Sequence, residues 1–384
     1  MKLFDTSILE KLVNINSQTQ DIPGVQRAQN YLESILSDLG MKVEWHQNKV
    51  TSSADALVAS IGSGPYVVTF LGHVDTVAKG GEFFPFQNAH DGLLQGAGIA
   101  DMKGGLAIML EALKRTLSNL GDGLTFNVVI SPNEELGSTG FHELFAQIGK
   151  KSDLILCFEP ALEDGSFIGG RNGNRWYDFT FKGEKLHTGR APKGSPNVLH
   201  QICELQNILT QFISKDSITK FNFTSITCDN EKYNVSSSLA SAKMDLRFAT
   251  TEERDGVHQK IISWGQSANI SFEHSISDDC PPLANTKGDD IVNELRQKLE
   301  KAEMMPIFCS HCEGASDANY FSSASNVVLD GLGPRGDYFH SRKEYIVEAS
   351  LENRCHALVE FLNDLSKKHS STSESKNQLA AAVN

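Results

Sequence analysis

Four short stretches of this 384-residue chain carry side chains that bind metal ions or move protons. His73-Val74-Asp75, Glu134-Glu135 and Glu159-Pro160 each follow an apolar run. Asp101 stands between two glycine clusters in Gly96-Ala97-Gly98-Ile99-Ala100-Asp101-Met102-Lys103-Gly104-Gly105. Carboxylates mixed with imidazoles suit divalent zinc, and a hydrolytic centre keeps one position open for water. Two metals sharing a bridging group clamp both the attacking and the leaving oxygen of a displacement. Spacing alone does not choose between one metal and two. Plainer readings exist: Asp101 as a helix N-cap, and Glu134-Glu135 as a solvated helix start where anions are favourable. Yet adjacent like charges repel unless a cation neutralises them.

The elements that must carry these residues follow from periodicity. Residues 5–19 and 25–39 read as helices, and 42–46 and 54–61 as strands. The mostly apolar runs at 66–72, 124–130 and 153–158 read as buried strands of a parallel sheet, and each ends at one of the polar stretches. In open α/β sheets the carboxyl ends of the strands form the ligand crevice. After Asp101 the apolar positions Leu106, Met109, Leu110, Leu113, Leu117 and Leu120 mark a helix with a buried face.

From about Arg175 the order becomes strand (176–181), helix (197–213), strand (222–228), strand (238–248), helix (251–264) and strand (270–275). This is the β-α-β-β-α-β order of a ferredoxin-like unit. Helical and strand patterns resume at 290–302 and 326–331. The expected fold is therefore α/β, with a mostly parallel central sheet flanked by helices and an inserted α+β ferredoxin-like domain. The predicted boundaries are 1–173 with 286–366 for the first domain and 174–285 for the insert. Residues 367–384, rich in Ser, Lys, Ala and Asn, are predicted to be disordered.

The totals exclude several classes. A formal charge of −13 argues against nucleic acid as the main partner, because phosphate binding needs clustered Lys and Arg. No apolar run is long enough to cross a bilayer. Asp5 and Glu10 interrupt any secretory h-region, so a cytoplasmic address is expected. Seven scattered cysteines fit reduced thiols, and Cys309-Ser310-His311-Cys312 lacks a second Cys/His pair for a structural zinc site. A nucleotide-loop reading of Gly96-Ala97-Gly98 fails, since no third glycine follows in the dinucleotide spacing and Lys103 precedes glycine rather than Ser or Thr.

The motifs in order resemble the M20 family of zinc aminoacyl hydrolases. They are Leu71-Gly72-His73-Val74-Asp75-Thr76-Val77, Gly96–Gly105, Asn133-Glu134-Glu135-Leu136-Gly137-Ser138, Phe158-Glu159-Pro160, Gly314-Ala315-Ser316-Asp317-Ala318, and Gly331-Leu332-Gly333 through His340-Ser341. The likeness covers nearly everything from residue 1 to about 365 and is closest to the glutamate carboxypeptidase branch. It implies two Zn2+ per subunit, with His73, Asp101 and Glu159 holding one and Asp101, Glu135 and His340 the other. Asp101 would bridge, and a cis peptide would follow it. Glu134 would be the general base and Asp75 the carboxylate that orients the His73 imidazole.

In the insert, the resemblance implies that His187 stabilises the oxyanion, that Asn234 contributes to the lid, and that Arg247 binds the substrate carboxylate. Leu186 stands where relatives have a small residue, and Asn234-Val235-Ser236-Ser237 departs from the family's Asn-Val/Ile-Ile-Pro. The implied substrate is a small peptide or N-acyl amino acid with a free carboxylate, cleaved by a homodimer formed through the lid.

Overall fold

A computed structural model describes residues 4–77, 83–118, 121–267, 270, 272–284, 288–323 and 325–381, with side chains described as far as Ser370. The chain divides into two units. One comprises Met1–Gly170, Leu283–His311 and Ser316–Asn384, and the other Arg171–Pro282 with Cys312–Ala315. The short Cys312–Ala315 stretch goes with the insert, where Arg171 Nη1 donates to the Gly314 carbonyl at 2.9 Å. Residues 285–287, beside the expected boundary, lie outside the described residues.

The first unit is built on a six-stranded sheet in the order Lys42–His46, Ala56–Gly62, Leu124–Ser131, Tyr66–His73, Leu154–Cys157, Val327–Leu329. The last four strands run parallel, and the first two join antiparallel. The register Gly72↔Ile130 and His73↔Ser131 brings the carboxyl ends of two central strands level. His73 and the turn after Ser131 therefore open at one edge of the sheet.

Helix Gly104–Leu117 packs on strand Tyr66–His73 and on the C-terminal helix Glu348–Ala381. Periodicity predicts one buried face, but residues 104–113 are buried on every side, and Leu120 lies outside the described residues. Its glycines explain the close approach. A Cβ at Gly105 would sit 1.9 Å from the Phe158 carbonyl oxygen. The helix start is thus pressed against the end of the strand that leads to Glu159.

Two local expectations change. The first helix covers only Ser7–Val13, because the following residues pair with the strand end instead. The Thr76 N–H donates to the Ser17 carbonyl, and the Thr19 N–H to the Thr76 carbonyl. Of the stretch 367–384, expected without order, residues 367–381 continue the last helix and residues 382–384 lie outside the described residues. His369 stacks on Tyr66 with ring centroids 4.0 Å apart, which gives the helix a packing partner beyond the point where the composition turns polar.

The insert has the ferredoxin-like arrangement. Its antiparallel sheet runs Lys220–Cys228, Leu239–Phe248, Gly173–Lys182, Phe272–Cys280, with helices Val198–Phe212 and Thr251–Ser267 supplying the apolar layer. Tyr177, Phe179, Phe181, Met244, Leu246, Ile202, Leu205 and Trp264 form its buried core. All seven cysteines of the chain are free thiols. Among the described residues no helix is long and apolar enough to cross a membrane.

Candidate metal centre

Each functional side chain of the first unit follows directly from a strand end or a loop. His73 closes its strand and is 1% exposed. Its Nδ1 donates to the Asp75 carbonyl at 3.0 Å, which aims Nε2 at the Asp101 carboxylate, 3.1 Å away at Oδ1. The other oxygen of Asp101, Oδ2, lies 2.9 Å from His340 Nε2. One carboxylate thus offers one oxygen to each imidazole.

Asp101 does not cap a helix. The helix begins at Gly104 without a side-chain cap, and residues 99–103 form a wide irregular turn entered through Gly98 at φ 69°. The Asp101–Met102 peptide is cis.

Glu134 and Glu135 occupy a single short turn after strand Leu124–Ser131, ended by Gly137 at φ 76°. The Ser131 and Ser138 hydroxyls, 2.8 Å apart, close this loop at its base. Donor atoms of His73, Glu134 and Glu159 lie within 4.8 Å of one another, and so do those of Asp101, Glu135 and His340. His73 Nε2 is 3.6 Å from Glu159 Oε1, and His340 Nε2 is 3.3 Å from Glu135 Oε1.

The donor set fits zinc. Glu135 Oε1 is buried, and its approach to His340 lacks hydrogen-bond alignment, so this oxygen has no hydrogen-bond partner. Four carboxylates facing two imidazoles leave an excess of negative charge that a dication neutralises.

The electrostatics agree. Burial raises the Glu134 carboxyl well above the usual carboxylate range; His73 opposes the rise and the Glu159 charge adds to it. Burial likewise raises Glu135. The hydrogen bond to Asp101 and then the adjacent Glu135 carboxylate lift His340 to about 10. At Asp101 burial is outweighed by the hydrogen bonds from His340 and His73, and the carboxyl is held below its ordinary value.

Three supporting residues carry no recognisable sequence signal or only a motif position. Thr19 donates its hydroxyl to Asp75 Oδ2 at 2.8 Å. Glu344 bonds to the backbone around Asp101. Asp317, in the Gly314–Ala318 motif, is 3% exposed, and burial raises its carboxyl to about 6 while Ser138 and Ser131 hydrogen-bond to it. Asp75 itself bonds to more than His73: its carboxylate also accepts the backbone N–H groups of Glu134 and Glu135.

The remaining candidates belong to the insert. Asn234 Nδ2 is 3.4 Å from His187 Nε2, and the Thr188 N–H donates to the Asn234 carbonyl. Leu186 and Ser236, where the sequence departs from the family pattern, pair through the Ser236 N–H to the Leu186 carbonyl and the Leu186 N–H to the Ser236 hydroxyl. Arg247 Nε donates to Asp245 Oδ2 at 2.9 Å and borders an open groove of about 310 Å³ that Trp176, Lys243 and Ser277 also line.

The chain is similar over 368 residues to carboxypeptidase G2 of Pseudomonas sp. (strain RS-16), at 28% identity, covering 93% of this chain and 88% of that protein. It is 26% identical over 314 residues to a succinyl-diaminopimelate desuccinylase of Pseudoalteromonas translucida, covering 77% and 83%. Its fold matches a crystal structure of a tripeptidase from Staphylococcus aureus with a TM-score of 0.78 at 18% identity, covering 95% of this chain and all of that one. The model of peptidase family M20/M25/M40 matches residues 69–364, so the strand ends, the glycine-flanked aspartate and the two donor groups belong to a metallohydrolase of that family.

Proposed function

We propose that this chain is a di-zinc hydrolase that cleaves an amide bond next to a free carboxylate, and that its activity is release of a C-terminal glutamate. The observation that carries the reading is Asp101, whose two oxygens face two imidazoles that each belong to a separate donor group. His73, Asp101 and Glu159 would hold one ion, and Asp101, Glu135 and His340 the other. Bound zinc supplies Lewis acidity to the scissile carbonyl and lowers the pKa of water.

The chain's own residues do the rest. Glu134 takes a proton from the attacking water and returns it to the leaving amine, a role that suits a carboxyl that burial has raised above the usual carboxylate range. Asp75 holds the Glu134–Glu135 turn and the His73 ring in place. His187, next to Asn234, would stabilise the oxyanion, and Arg247 would take the substrate carboxylate in a planar fork. Assembly as a homodimer through the insert belongs to the same reading.

Release of a C-terminal residue draws support from the likeness to carboxypeptidase G2, and the preference for glutamate rests on the motif resemblance alone. A second reading, deacylation of N-acyl amino acids or dipeptide cleavage, draws support from the likeness to a desuccinylase. Metal analysis of the purified chain, followed by turnover on peptides ending in glutamate against N-acetyl amino acids and dipeptides, separates the two. Zinc near two per chain with the highest kcat/KM on the glutamate series is expected. Faster turnover of N-acyl amino acids or dipeptides selects the second reading, and a chain that takes up no zinc under metal-replete conditions indicates a binding protein on the same fold.

A further inference from the structure

The turn that carries Asp101 is held by a carboxylate outside both donor groups. Glu344, 2% exposed, accepts three backbone N–H groups: from Gly98 at 3.0 Å on Oε2, and from Ala100 at 2.9 Å and Asp101 at 3.1 Å on Oε1. The turn needs such a partner. Asp101 (φ −113°, ψ 89°) and Met102 (φ −131°, ψ 33°) leave the helical region, so the turn lacks a regular backbone ladder, and buried N–H groups must bond elsewhere.

The pairing of Tyr345–Val347 with Leu93–Gln95, in the register Tyr345↔Gln95, fixes Glu344 beside the turn. Lys103, fully buried, donates to the Ile15 carbonyl at 2.9 Å; burial lowers its ammonium to about 7, and the charge of Glu344 opposes that fall. His340, whose Nε2 meets Asp101 Oδ2, lies four residues before Glu344 in the same segment. One stretch of chain therefore supplies a donor and also ties down the backbone of the donor it faces.

We propose that Glu344 is a positioning residue of the metal centre: by holding the backbone of residues 98–101 it sets how tightly the Asp101, Glu135 and His340 group binds its ion. Glu344 itself belongs to neither donor group. The inference rests on the two-ion reading above. Partners that orient metal ligands typically change affinity 10- to 100-fold when altered.

The test titrates Zn2+ into the metal-free full-length chain against a chromophoric chelator, for wild type, Glu344→Gln and Glu344→Ala. Asp153→Asn serves as the control, because the Asp153 carboxylate accepts the Val67 N–H at 2.7 Å at the far end of the His73 strand. Glu344→Gln is expected to weaken zinc binding about 10- to 100-fold in at least one of the two steps, because Asp101 faces both imidazoles. Asp153→Asn is expected to leave both steps unchanged, whatever its melting temperature. Unchanged binding in Glu344→Gln, or the same loss in Asp153→Asn, overturns the role of Glu344. A wild-type chain that binds no zinc overturns the two-ion reading and this inference with it, a result distinct from a loaded wild type with an indifferent variant. Glu344→Gln preserves the size of the side chain and one acceptor oxygen, so it remains informative if the alanine variant does not fold.

Discussion

Asp75 lies directly beneath Glu134: its Oδ1 accepts the Glu134 backbone N–H at 3.0 Å, while its Oδ2 accepts the Glu135 N–H at 3.3 Å. The same Oδ2 takes the Thr19 hydroxyl at 2.8 Å. A side chain expected to serve the His73 ring thus also fixes the turn on which the base and a neighbouring donor sit.

Thr19 should matter to catalysis through this contact. Thr19→Val removes a hydrogen bond to a charged acceptor, an interaction of about 1.5 kcal/mol, and should lower kcat about tenfold with KM nearly unchanged. Thr19→Ser restores the hydroxyl and should recover most of the rate. Steady-state kinetics on the three proteins decides it; an equal loss in the serine variant would show that the methyl packing matters instead.

Glu134→Ala should remove turnover while leaving the metal in place, because the Glu135 and Glu159 carboxylates and both imidazoles remain. A loss of about 10²- to 10⁴-fold in kcat is expected, with zinc content near that of wild type by elemental analysis. Wild-type rates on N-acyl glutamates would refute the assignment of Glu134 as the base.

Asp101→Ala removes the one carboxylate that faces both imidazoles. Zinc occupancy should fall, to about one ion per chain or fewer after dialysis, and activity with it. Retention of two ions would show that Asp101 does not bridge.

Metal binding should release protons. With the site free of metal, the hydrogen bond to Asp101 and the adjacent Glu135 carboxylate raise His340 to about 10, so its imidazole is protonated at neutral pH. A metal takes the neutral imidazole, and below pH 10 that proton must leave. Affinity should therefore rise with pH from 6.5 to 10, and titration calorimetry in buffers of different ionisation enthalpy should record the release. His340→Asn should abolish that share of the release and flatten the pH dependence.

Arg247 distinguishes recognition from a plain ion pair with Asp245. Arg247→Ala should raise KM for substrates with a free carboxylate about 10- to 100-fold and leave their amidated analogues unaffected. A fall in melting temperature with unchanged KM would assign Arg247 to the ion pair alone.

Local chemistry was legible in the sequence. The apolar runs fixed which segments become buried strands, and the polar residues after them had to emerge at strand ends, so order along the chain suffices to single out His73, Glu134, Glu135 and Glu159. The β-α-β-β-α-β order of the insert was readable for the same reason, since the periodicity of a strand or helix is a local property. Thr19 and Glu344 left no such trace: Thr19 reaches Asp75 across 56 positions and Glu344 reaches Gly98, Ala100 and Asp101 across 243 to 246, and no sequence period encodes contacts at such separations. Asp101 marks the divide. Its glycine-flanked setting allowed either a helix cap or a shared ligand, and only tertiary packing, which presses Gly105 onto Phe158 and brings His340 to the far oxygen of the carboxylate, decided which groups it meets.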